Sequence, residues 1–135
     1  MHAHSSYDYA LIRVVPSVER GECINVGVIL FCRTRRFLKT LIDLDIQRLL
    51  VVAPDIDLAL VQEHLAHFER VCTGGAHSGA IGELSQSERF HWLVSPRSTM
   101  IQTSPVHSGL CQDPEAALQR LLNTMVHLKK VSPVS

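Results

Sequence analysis

Arg20-Gly21-Glu22-Cys23-Ile24-Asn25-Val26-Gly27-Val28-Ile29-Leu30-Phe31 is an apolar, β-branched run broken by a carboxylate, an amide and two glycines. Its density of Val and Ile predicts a strand over residues 22–31. A glycine inside a strand marks a bulge or the close approach of another backbone, so Gly27 is expected where a neighbouring element comes near. With a regular pleat, Ile24, Val26, Val28 and Leu30 share one face with Glu22. Cys23, Asn25, Gly27, Ile29 and Phe31 then share the other. Both faces are largely apolar, which suits a central strand covered on both sides, or half of a dimer contact.

The flanks extend this strand into a meander. Residues 7–15 are aromatic, β-branched and aliphatic and stop at Pro16, which predicts a first strand. Residues 37–44 form a third, after the charged turn Arg33-Thr34-Arg35-Arg36. Short links make the three antiparallel. Residues 45–50 suit a short helical turn. A stronger helix is expected over residues 54–71, with Pro54 in its first turn and Leu58, Val61, Leu65, Phe68 and Cys72 on one face. Gly74 and Gly75 stop it. Ser85 and Glu88 have capping-box spacing and predict a short helix that ends before Pro96. Residues 98–104 alternate weakly and suit a fourth strand. Asp113 as N-cap and Pro114 at the first helical position open a last helix to about residue 130, with Leu118, Leu121, Leu122, Met125 and Leu128 facing inward. The fold class is therefore α+β: an antiparallel β-meander of three to four strands with about three helices packed on one face of the sheet. Residues 1–6 and 131–135 are expected to be loose ends of a single domain spanning 7–130.

Composition narrows the function classes. The 135 residues are 46% hydrophobic and 19% charged, which fits a globular domain. Thirteen basic and thirteen acidic residues cancel, against a protein built around nucleic acid or an anionic membrane. No apolar run approaches the roughly 18 residues of a membrane helix, and the N-terminal residues lack a signal-type apolar segment, so a cytoplasmic location is the expectation. Cys23, Cys32, Cys72 and Cys111 are scattered among apolar residues, which argues against a disulfide framework or structural zinc. No cofactor and no metal site is implied.

Three pieces together resemble one family: residues 7–16 (Tyr-Asp-Tyr-Ala-Leu-Ile-Arg-Val-Val-Pro), the Glu22-x-x-Asn25-x-Gly27-Val28 core, and residues 89–110 with Arg89-Phe90-His91-Trp92-Leu93, Pro96-Arg97-Ser98 and His107-Ser108-Gly109-Leu110. The order is similar to the bacterial proteins grouped as domain of unknown function 3037. The resemblance implies a small bacterial protein without assigned catalytic residues, often encoded beside kinases that resemble the HipA toxin. A HipA-like kinase is thus the partner that the resemblance suggests, by association and not by mechanism.

Several residues are candidates for chemistry. Glu22 could act as a base or cation ligand with Asn25 as an orienting amide; a water-exposed Glu and a backbone-satisfying Asn are the plainer and favoured alternative. Arg97, with Ser98, Thr99 and Gln102 nearby in sequence, offers a fork of donors for carboxylate or phosphate, against a simple turn arginine. His107 is expected in a loop before the last helix, where a titrating side chain can serve function. His64 and His67 share a helix face beside Glu63 but lack a third ligand at useful spacing. Arg33, Arg35, Arg36 and Lys39 form a dense basic cluster without interleaved aromatics, so a solvated hairpin tip is favoured over nucleic-acid binding. The leading expectation is a non-catalytic interaction or regulatory module, with a homodimer as one form it could take; the alternatives are a small enzyme or anion-binding domain using Glu22, Asn25, Arg97 and His107, and nucleic-acid binding through the Arg33–Lys39 turn.

Overall fold

The structure, a computed structural model, describes residues 4–17, 20–75, 78–96 and 100–127. Its elements run β1 (Ser5–Ser17), β2 (Glu22–Cys32), β3 (Phe37–Ile42), α1 (Ile46–Val52), α2 (Leu58–Thr73), a 3-10 turn (Ile81–Glu83), α3 (Gln86–Leu93), β4 (Ile101–Thr103), β5 (His107–Cys111) and α4 (Pro114–Met125). The five strands make one antiparallel sheet in the order β3-β2-β1-β4, with β5 also on β1. The α+β class thus holds, with one strand and one helix more than the sequence suggests. β4 pairs with Ile12–Val14 and β5 with Ser5–Tyr9, so one long strand serves two short partners along its outer side.

The helices cover both faces, not one. Ala10, Ile12 and Val14 of β1, with Ile24, Val26, Ile29 and Phe31 of β2, pack against Leu49 of α1, Val61, Leu65, Phe68 and Val71 of α2, and Phe90 and Leu93 of α3. On the opposite face Tyr7, Leu11, Val28, Leu30 and Cys32 pack against Ala117, Leu118, Leu121 and Leu122 of α4. The doubly apolar β2 is the cause: each of its faces needs a cover.

β2 is not regularly pleated. Ile12 pairs with Gly27 and Arg13 with Asn25, which leaves Val26 as the extra residue of a β-bulge. Val26 therefore faces α2 while Val28, two residues on, faces α4. Gly27 sits where β3 comes closest; a Cβ there would lie 2.8 Å from the Leu41 carbonyl oxygen and 3.2 Å from Ile42 Cγ1.

Three further expectations are corrected. The main helix begins at Leu58, not at residue 54, because the Asp57 side chain accepts from the Leu60 N–H and so caps it there. β1 starts at Ser5, inside the stretch expected to be loose, because β5 gives it a partner. Met125 is exposed and Val126 takes the buried place at the end of α4. The capping box of α3 forms as the sequence predicts: Ser85 Oγ accepts from the Glu88 N–H, and Glu88 Oε1 accepts from the Ser85 N–H.

Candidate functional site

Asn25 is where the polar groups of the sheet converge. The bulge keeps its side chain on the α4 face, opposite Ile24 and Val26. Asn25 Nδ2 donates to the Met125 carbonyl at 3.2 Å, at the C-terminal end of α4. Asn25 Oδ1 accepts from Arg13 Nε at 3.2 Å. Neither partner can exchange roles, since a carbonyl only accepts and a guanidinium only donates, so the amide orientation is fixed by its neighbours.

Two hollows flank this pair, one bordered by Asn25 and the other by Arg13. One, of about 250 Å³, lies between the end of α4 and the start of α1 and is bordered by Asn25, Asp43, Asp45, Arg48, Val126 and His127. His127 pairs with Asp43 across it. Asp45 caps α1 by accepting from the Arg48 N–H at 3.0 Å. The other, of about 230 Å³, is bordered by Arg13, Val15, Gly21, Cys23, Gln102 and Thr103.

The remaining candidates stand elsewhere. Glu22 forms a 2.7 Å ion pair with Arg20 in which both side chains are well exposed, a contact of small energetic weight. His107 is on a strand, not in a loop. It pairs with Tyr9, and the two rings lie 5.5 Å apart. β5 was hard to read because Ser108 and Gly109 are poor strand formers; the Tyr7 ring packs on Gly109, where a Cβ would sit 2.6 Å from it. Asn25 and His107 share the α4 face, but their partners on β1 are four residues apart, roughly 13 Å along a strand. Arg97, Ser98 and Thr99 lie outside the described residues.

The basic cluster disperses. Arg33 and Arg36 close a tight turn, with Arg36 at φ +50°. Arg35 Nε donates to Ser5 Oγ at 3.1 Å, and Lys39 pairs with Glu115 of α4 at 2.8 Å. On α2, His64 is exposed and His67 meets the Trp92 ring edge-on at 5.4 Å. No group of three or more His, Cys, Asp or Glu suited to a metal occurs among the described residues.

Two thiols are quiet. Burial pushes Cys72 up to about 11, although Thr40 Oγ1, at 3.0 Å from its sulfur, works the other way. Burial, then the neighbouring Cys32 thiol, raises Cys111. A thiol that stays protonated at neutral pH is a poor nucleophile.

Sequence reasoning passed over Arg13 and Arg89. Arg13 is a lone cation in Ala10-Leu11-Ile12-Arg13-Val14-Val15, which is the signal that could have found it. Arg89 is buried and has no acid in its contacts among the described residues: Nη1 donates to the Val71 and Cys72 carbonyls at 2.8 and 2.7 Å, and Nε to that of Leu84 at 3.0 Å. It closes the end of α2 and ties α3 to it.

A bulged antiparallel sheet covered on both faces, with its polar groups gathered around one strand end, defines a small α+β domain. The chain belongs to the family described as a protein of unknown function, DUF3037, which it matches over residues 9–126, from β1 to the end of α4. Comparison with curated proteins and with solved structures returns no significant match. Among the described residues no helix is long and apolar enough to cross a membrane.

Proposed function

We propose that this protein is a non-catalytic interaction module that docks on a partner protein through α1, with a HipA-like kinase as the partner that family association suggests. The observation that carries it is the composition of α1. The helix buries only Leu49 and leaves Ile46, Leu50, Val51 and Val52 exposed, Val51 at 81%. An exposed contiguous apolar patch of this kind marks an interaction site. Beside it, Pro16, Ala53, Pro54 and Ile56 border a hollow of about 300 Å³ that suits an apolar knob.

Charge selects the occupant. Asp43, Asp45, Asp55 and Asp57 flank the helix in sequence, against Arg48 alone on it. An apolar centre with an acidic rim fits a partner whose own apolar patch is bordered by Lys or Arg. The same rim opposes a second copy docking helix to helix, since like charges would meet.

The test is binding of the purified chain to a purified HipA-like kinase, with and without nucleotide. Val51→Asp is expected to weaken binding by about tenfold or more, the loss of one central apolar anchor, while Leu110→Asp, 68% exposed on β5, leaves it unchanged. Equal affinity of Val51→Asp and wild type, or no binding in either nucleotide state, overturns the proposal. A concentration-dependent dimer that Val51→Asp dissolves would replace the partner with a second copy.

A further inference from the structure

We propose that the hollow beside Arg13 is a binding site for an oxyanion, a phosphate or a carboxylate, with Arg13 as the binding residue and Asn25 as the residue that positions it.

Arg13 stands in the middle of the sheet, between Asn25 of β2 and Gln102 of β4. α4 packs mainly over β2 and β3, and Arg13 stays partly exposed, bordering the hollow. The guanidinium is partly buried, and its one hydrogen bond among the described residues is Nε to Asn25 Oδ1. Both terminal nitrogens therefore keep their N–H groups without a protein acceptor there. No carboxylate is within ion-pair distance of Arg13 among the described residues, and Glu22, at the start of the adjacent strand, is taken by Arg20.

A guanidinium held by Nε presents its two terminal nitrogens as a preset fork, the geometry that a carboxylate or phosphate accepts. The chain Met125 carbonyl–Asn25–Arg13 supplies the hold, and it is anchored on the end of a helix rather than on another flexible side chain. The hollow of about 230 Å³ has room for a small oxyanion or the anionic end of a larger ligand, and Gln102 and Cys23 border it with polar groups. Asn25 thereby acquires a task that capping a helix end does not exhaust.

The experiment follows the Arg13 Nε–H and Gln102 side-chain signals by NMR while inorganic phosphate, or separately acetate, is added at fixed ionic strength, with chloride as control. Saturable shifts with phosphate, acetate or both are expected, and the arm that saturates at lower concentration names the source. Arg13→Gln, read on Gln102, should abolish saturation. Asn25→Ala should weaken it by about tenfold, a cost of disordering the fork, with backbone signals away from the site unchanged. Arg13→Lys keeps the charge, guards against a folding defect, and should bind weakly because an ammonium lacks the fork. Shifts that never saturate, that chloride reproduces, or that survive Arg13→Gln overturn the proposal.

Discussion

Gly27 is held by space rather than by backbone torsion, since its φ is not among the positive ones. Any side chain there would run into the Leu41 carbonyl, and a backbone oxygen cannot rotate away. Gly27→Ala is therefore expected to cost about 1–3 kcal/mol, the range of overpacking a tight site, read from the urea midpoint at unchanged slope. A midpoint within error of wild type would mean that β3 yields. The glycine's purpose was legible in the sequence, because glycine in a strand has few other reasons to be there. The bulge beside it was not: Val26 and Val28 are the same residue type, and no local pattern says that they face opposite ways. Arg13 and Asn25 were similarly legible as anomalies but not as a pair, since their meeting depends on the register that the bulge sets.

At the scale of elements, the link between α2 and α3 rests on Arg89. Its three carbonyl acceptors belong to the end of α2 and to the turn before α3, so one side chain replaces hydrogen bonds that neither helix can make alone. Gly74 makes room for it: a Cβ there would lie 2.6 Å from Arg89 Nη1. Arg89→Leu should lose about 2–4 kcal/mol through carbonyls left without donors, and Arg89→Lys should recover only part, since a single ammonium cannot span all three. Chemical denaturation of the two variants checks the order. Caps and helix stops were readable from the sequence wherever side chain and backbone are neighbours, as at Ser85, Asp113 and Gly74. Arg89 was not, because its acceptors Val71 and Cys72 are distant in sequence. β5 was missed for another reason: an edge strand paired on one side tolerates His, Ser and Gly that a central strand would not.

For the whole molecule, the sheet is shared by two apolar cores. Leu65 belongs to one and Leu118 to the other, and both are almost fully buried. Because β1 and β2 contribute to each, the cores should melt together. Leu65→Ala and Leu118→Ala, each expected to cost about 2–5 kcal/mol, should move Trp92 fluorescence and far-UV circular dichroism to the same new midpoint. Trp92, the single tryptophan, packs at the Leu65 core, so a Leu118→Ala transition seen by dichroism but not by fluorescence would show that α4 leaves separately. The two-sided arrangement was half visible in the sequence, through the apolar faces of β2; which helix goes to which face depends on chain crossings that no local pattern records. That arrangement also sets an order of events during synthesis. The chain emerges with its meander and first three helices, while the partner of Leu11, Val28 and Leu30 is still to be translated. Until the last helix clears the ribosome, the apolar side chains on that side of the sheet have no cover. The nascent protein is then at its stickiest, and a chaperone would find it there.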